Sequence, residues 1–217
     1  DGNGCRFSDD HTVTILEKVT PVIASSAAGT ICGSGPVTLS FTGTSIANPC
    51  TQTPYGQWPL TPFTNSSCNG TPETIVVDGY LGEYSVVNVT EGLYYRFYSQ
   101  IEQGNTGPVT NTITNTNTSE VYASGVYSAI WKATFTGQVL FITSASNCTE
   151  DNTVNILRSV ACSVDPSSFG TFTWMPGGQT TPSITVNPSV TTDYTLTFTD
   201  FSLLCPSSSK KQVILGI

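Results

Sequence analysis

Apolar and polar residues alternate along most of this chain, and the alternation predicts β-strands. Val37, Leu39 and Phe41 are separated by Thr38 and Ser40, and Tyr194, Leu196 and Phe198 by Thr195 and Thr197. Successive strand side chains point to opposite faces, so each run predicts one buried face and one wet face carrying hydroxyls. Thr itself suits the pleat through its branched β-carbon. Tyr127, Ala129, Trp131, Ala133 and Phe135 predict one face of a single longer strand. Strands are expected over residues 11–16, 20–25, 36–42, 73–78, 84–90, 93–99, 109–114, 127–136, 138–143, 153–161, 171–175, 182–187, 193–200 and 211–215. Clusters such as Gly33–Pro36, Gly104–Pro108 and Pro176–Gly178 separate them. Helical periodicity is nearly absent, so the fold class is all-β.

Two stretches depart from the pattern. Residues 105–119 are nearly pure Asn and Thr around Val109 and Ile113, which predicts a polar hairpin or an edge strand of weak register. Residues 47–72 are rich in Pro, Gln and Asn, with Tyr55, Trp58 and Phe63 interspersed, and read as an irregular, disulfide-tethered segment.

Composition sharpens the picture. The 217 residues include 35 Thr and 25 Ser but only 7 basic and 15 acidic side chains. A net charge of −8 leaves no basic surface for neutralising phosphates, which argues against nucleic-acid binding. No apolar run is long enough for a membrane span. Seven cysteines without a CxxC pair point to disulfides in an oxidising, extracellular setting rather than to a zinc ribbon.

Cys5 followed by Val13–Leu16 reappears, 200 residues later, as Cys205 followed by Val213–Leu215. This spacing predicts a tandem array. Residues 1–18 would be the last strand of a preceding repeat, and the Asp-Gly-Asn-Gly opening a cut inside a longer exported polypeptide. Cys5 would then pair within that preceding repeat, which accounts for the odd cysteine.

The run Trp174-Met-Pro-Gly-Gly178, Ser183–Pro188 and the Thr-rich stretch 191–200 resembles the immunoglobulin-like repeats of secreted and cell-surface proteins of Bacteroidota. That family includes gliding-type and other giant adhesins exported by the type IX system. Residues 19–42 resemble the opening strands of such a domain. The resemblance implies one discontinuous immunoglobulin-like sandwich, residues 19–46 plus 163–217, interrupted by an inserted domain at 47–162. Within the insert, residues 82–97 (GEYSVVNVTEGLYYRF) and 131–148 (WKATFTGQVLFITSASNC) resemble a jelly-roll-like domain recurring in Bacteroidota surface proteins. On this division Cys32 and Cys205 would close the outer sandwich. Cys50 with Cys162 would staple the neck of the insert, and Cys68 with Cys148 would cross-link it, although six cysteines admit other pairings.

Candidate chemistry is sparse. His11, beside Asp9 and Asp10, lacks any Gly-x-Ser-x-Gly elbow and reads as a solvated turn residue. Asp78, Glu83 and Glu91 flank strands without a spacing that demands a glycosidase pair. No enzyme activity and no cofactor are expected. Calcium is the one metal for which loops offer oxygens, at Asp1, Asn3, Asp9 and Asp10 or at Glu150, Asp151 and Asn152. Trp131 and Trp174 read as core residues, and the sequons at Asn65, Asn69, Asn88, Asn117 and Asn147 as products of Asn/Thr richness.

The expected function is that of a structural and adhesive repeat: a disulfide-stabilised spacer or self-associating stalk in a long bacterial surface protein or filament. Its partners would be neighbouring repeats of the same polypeptide and lateral copies. The alternative is a carbohydrate-binding module, with Tyr55, Trp58, Tyr94 and Tyr98 as contacts for surface glycans. The competing reading of Tyr94 and Tyr98 is burial of their strand on both faces.

Overall fold

The computed structural model describes residues 17–27, 30–32, 35–103 and 107–216. The predicted strand 11–16, Cys5, His11 and the acidic loop of Asp1, Asn3, Asp9 and Asp10 lie outside them. The chain opens with β1 (Thr20–Ser25), β2 (Thr30–Cys32), β3 (Val37–Ser45) and the two-residue β4 (Gly56–Gln57). Eight strands follow: β5 (Glu73–Leu81), β6 (Glu83–Val89), β7 (Tyr94–Gln103), β8 (Val109–Asn115), β9 (Val121–Val126), β10 (Ser128–Lys132), β11 (Gly137–Ala145) and β12 (Asp151–Ser163). After one 3₁₀ turn at Pro166–Ser168 come β13 (Gly170–Met175), β14 (Ser183–Val186), β15 (Thr192–Asp200) and β16 (Pro206–Gly216). The protein is an all-β assembly of packed sheets.

The largest sheet has the order β1-β3-β10-β7-β12-β5, with β14 also on β3. A second sheet runs β4-β6-β11-β8-β9, and a third β13-β15-β16-β2. Counting β5 to β12 as strands one to eight, they pair in the orders 1-8-3-6 and 2-7-4-5, the two four-stranded sheets of a jelly roll. The remaining strands place β1, β3 and β14 opposite β13, β15, β16 and β2, an immunoglobulin-like sandwich. β1 occupies one side of β3 from Leu39 to Ser45. The other side takes β14 at Val37–Ser40 and then β10, through the pair Gly43–Trp131. One continuous sheet therefore belongs to both sandwiches.

That shared sheet is covered on both faces where the sandwiches meet. Tyr94, Ile130 and Ala161 point into the first core with Phe41, Phe172, Trp174 and Phe198. Their strand neighbours Tyr95, Ala129, Trp131, Val160 and Cys162 point into the second, with Phe97 and Phe141. Phe41 stacks on Phe198 at 4.9 Å between ring centres, and Phe97 meets Phe141 edge-on at 5.3 Å. A smaller cluster of Leu81, Val109, Val154 and Ile156 closes one end of the jelly roll. The turn beginning at Trp174 is fixed from within the first core. The Trp174 amide and carbonyl bond Gln179 and Gly178, and its indole N–H donates to the Thr181 carbonyl at 2.9 Å.

Three expectations need correction. Of the two readings of residues 105–119 the hairpin holds, since β8 pairs antiparallel with β9, but the edge strand does not: β8 lies between β11 and β9, and Val109 to Thr114 are all buried. Asn111, with no exposed surface, satisfies both ends of its amide. It donates to the carbonyls of Tyr127 (2.7 Å) and Phe97 (3.3 Å) and accepts from Ser99 and Thr143. Many hydroxyls are likewise interior rather than wet, among them Thr44, Ser85, Thr112, Ser124 and Ser144. The strand expected over 127–136 is shorter. Tyr127 adopts φ +58°, β10 spans Ser128–Lys132, and Ala133 and Phe135 still pack on the core beyond its end. The end of β9 needs glycine at 125, where a β-carbon would lie 1.9 Å from the Ser128 carbonyl oxygen.

The Cys32–Cys205 bridge is also ruled out by register. β2 runs parallel to the far end of β16, with Cys32 beside Gly216. Cys205 precedes Pro206 at the opposite end of that strand, about 33 Å away at 3.3 Å per residue. A disulfide requires Cα atoms within about 7 Å. Cys205 is an exposed free thiol.

Candidate functional site

The irregular segment 47–72 lies along the edges of the two jelly-roll sheets and carries the most exposed aromatic side chains of the insert. Both its ends are cross-linked. Cys50 is bonded to Cys148, with Cα atoms 5.2 Å apart, and Cys68 to Cys162, at 4.5 Å. These pairs replace the expected Cys50–Cys162 and Cys68–Cys148. Cys162, on the inward face of β12, lies where the segment returns to the sheet, since the Gly70 amide bonds the Cys162 carbonyl and Asn69 bridges Ser163. Cys148 sits in the tight turn after β11, its amide donating to the Ala145 carbonyl, at the other end of the jelly roll.

Between the bridges the segment is held by Arg158. This side chain is on the inward face of β12 and has no exposed surface. Its guanidinium donates to the Glu83 carbonyl (3.0 Å), the Trp58 carbonyl (3.0 Å) and the Glu83 carboxylate (3.3 Å). Burial lowers the Arg158 pKa to about 10, opposed by the charges of Glu83 and Asp78, so the group is a cation at neutral pH. Gly79 makes room for it, because a β-carbon there would lie 2.6 Å from Nη2. Glu83 Oε2 accepts also from the Tyr80 amide at 2.8 Å. The Ser85 hydroxyl adds a second bond to the Trp58 carbonyl, and the Trp58 amide donates to Tyr84.

Nearer its second bridge the segment is tied by Glu73, whose carboxylate accepts from the amides of Ser66 and Ser67 and the side chain of Asn65. Those bonds, the Ser66 amide foremost, lower the Glu73 pKa below its usual 4.5. A carboxylate with a depressed folded pKa stabilises the native loop above the unfolded pKa, and that contribution is lost as pH falls through the folded value. Amide exchange at Ser66 and Ser67 is therefore expected to be slow at pH 6. After correction for intrinsic rates, protection should fall in the wild type only as pH drops below the usual carboxyl value of 4.5, and already be low at pH 6 in Glu73→Gln. Equal protection in both proteins at pH 6 would contradict this assignment.

The result of this anchoring is a ledge. Tyr55 is 45 % exposed and Trp58 40 %, and Leu60 and, on β5, Val77 are exposed as well. The Trp58 indole N–H donates to Asp78 Oδ1 at 3.2 Å, which fixes the ring. Tyr98 is elsewhere. It pairs with Ser159 on β12, so it points away from the face that holds Arg158, and its hydroxyl donates to Gln100 while Arg96 lies over its ring. Tyr94 is not available to a ligand. It is buried in the first core, stacks on Phe41, and donates its hydroxyl to the Phe41 carbonyl at 2.9 Å. Burial, reinforced by Asp165, pushes its phenol above the ordinary value. The strand is indeed covered on both faces, and the cover over Tyr94 is the immunoglobulin-like sheet rather than segment 47–72. Of the four predicted aromatics, Tyr55 and Trp58 are the exposed ones, both carried by the irregular segment. Asp78 accepts from Trp58 and Glu83 from Arg158, while the Glu150 side chain lies beside Tyr55 at Gly82. Sequence reading missed Arg158, whose only signal was a lone cation inside an apolar strand.

No group of three or more His, Cys, Asp or Glu side chains suited to a metal occurs among the described residues. Asp151 accepts instead from the Thr153 amide and hydroxyl. Among the described residues no helix is long and apolar enough to cross a membrane. Residues 75–164 match the model of a domain of unknown function, DUF8695, a stretch running from within β5 to one residue past β12. No curated protein and no solved structure matches the chain.

Proposed function

We propose that this chain is a structural and adhesive unit of a long extracellular bacterial surface protein, a disulfide-stabilised spacer made of two fused sandwiches. The observation that carries the reading is the single sheet passing from β3 into β10, with side chains from its central strands in both cores. Domains joined by a linker move relative to each other unless their interface is large and apolar. Here backbone pairing within a shared sheet replaces the linker, and Thr44 adds hydrogen bonds from β3 to the Ser124 carbonyl and the Ile130 amide. The two disulfides suit an oxidising, extracellular location. A surface with few charges lets neighbouring repeats and lateral copies approach closely, which favours a filament. The likeness of the Trp174–Gly178 turn and the Thr-rich strand after it to Bacteroidota repeats supports export by the type IX route. Electron microscopy of the purified full-length protein is expected to show elongated particles with a regular axial repeat. A compact particle would overturn the proposal.

The ledge supports a second reading, glycan binding. Tyr55 and Trp58 present ring surface beside an acceptor carboxylate, and Trp58 is held rigid by its indole hydrogen bond. Glycan-array binding that survives Trp58→Ala and Tyr55→Ala unchanged would remove this site.

A further inference from the structure

The seam between the two sandwiches contains a cavity of about 550 Å³ that belongs to neither the spacer role nor the aromatic ledge. Its volume falls in the range of small-molecule sites, and such sites favour domain interfaces. The walls come from both units. Val126 and Tyr127 belong to the jelly roll, whereas Phe198, Leu203 and Pro206 belong to the immunoglobulin-like sandwich.

One charged group is built into this largely apolar space. Asp200, at the end of β15, is 6 % exposed and lines the cavity. Its Oδ2 accepts from the Ser128 hydroxyl across the seam at 2.8 Å, and its Oδ1 from the Ser202 amide at 2.7 Å and the Ser202 hydroxyl. Hydroxyl and amide donors hold the carboxylate in place without neutralising it. Among the described residues no ion pair reaches it. Glu17 and Lys18 also line the cavity with opposite charges, which leaves Asp200 to set its sign. The backbone beside it is strained. Tyr127 adopts φ +58°, a conformation costly for a large side chain, and it is held there by three hydrogen bonds. Its amide donates to the Val109 carbonyl, and its own carbonyl accepts from the Ser99 amide and Asn111. That geometry places Tyr127 in the cavity wall and Ser128 against Asp200.

We propose that the cavity is a binding site for a small organic cation, its ammonium or guanidinium meeting Asp200 and its apolar body lying against Tyr127, Phe198 and Leu203. A buried, hydrogen-bonded but uncompensated carboxylate in an apolar pocket favours a cation over a neutral ligand of the same shape.

The test compares 3-phenylpropylamine with the isosteric, uncharged 3-phenylpropanol by NMR titration of the full chain. The amine is expected to shift the amide resonances of Tyr127, Ser128 and Asp200 and to bind about tenfold or more tightly than the alcohol, since one charge-assisted contact is worth about that factor. Asp200→Asn should abolish this preference. Leu203→Trp, which fills the cavity from its wall and keeps the carboxylate, should abolish binding of both probes even if Asp200→Asn fails to fold. Equal affinity for amine and alcohol, or shifts confined to residues outside the cavity, would overturn the proposal.

Discussion

Replacing Arg158 with alanine is expected to destabilise the protein by about 3–5 kcal/mol, measured by urea unfolding. The variant leaves the Glu83 carboxylate buried without its cation and removes donors from two carbonyls, those of Glu83 and Trp58. The size of the effect is the cost of stranding a charge, not the net worth of the ion pair. Arg158→Lys should recover only part of the loss, because an ammonium cannot reproduce the planar fork that reaches two carbonyls and a carboxylate. Arg158→Ala should also speed amide exchange at Trp58, since the segment loses the anchor that spans from β12 to its backbone. A loss below about 1 kcal/mol would show that Arg158 is not the anchor.

The second large effect is expected at the Cys68–Cys162 disulfide. It closes a loop with a sequence separation of 94, for which the chain-entropy model gives about 4–5 kcal/mol. The Cys68→Ser, Cys162→Ser double variant should lose stability by that order. Cys162 faces the jelly-roll core, so its replacement adds a packing penalty, while Cys68 is on the surface. Peptide mapping without reduction is expected to recover Cys50 joined to Cys148 and Cys68 joined to Cys162. Recovery of Cys50 joined to Cys162 would refute the arrangement. The Cys50–Cys148 bridge closes a loop of similar separation, 98, so its removal provides an internal comparison.

Where the sequence succeeded, it did so through local pattern. The run Val37–Phe41 lies in β3 with its apolar residues fully buried, and Tyr194, Leu196 and Phe198 enter the same core from β15. Alternation is a property of a few consecutive residues, so it survives without knowledge of the partner. It failed wherever both faces of a strand are covered. β8 reads as polar because its Asn and Thr side chains hydrogen-bond inside the jelly roll, and no local pattern separates a satisfied interior Asn from a solvated one. The same holds for Tyr94, whose burial depends on a sheet assembled from residues far away in the chain. β9 was missed because Ala123, Ser124 and Gly125 carry too little apolar surface to show a period, although all three are buried. The ledge was half legible: Tyr55 and Trp58 stood out as aromatics in an irregular stretch, but their anchor on β12 did not.

The sequence by itself determined that the protein is all-β, that its strands alternate between a buried and an opposite face, and that disulfides tether the irregular segment. These follow from side-chain chemistry read over short windows. Only the tertiary structure decided which cysteines meet, because partners 94 and 98 residues apart are chosen by where β12 and the turn after β11 bring the chain. It also decided that the two sandwiches share one sheet, through the pairing of Gly43 with Trp131. That contact needs glycine at 43, where a β-carbon would lie 2.3 Å from the Ile130 carbonyl oxygen, and is tied by the Thr44 hydroxyl, but a glycine and a threonine within a strand do not reveal which distant strand they meet.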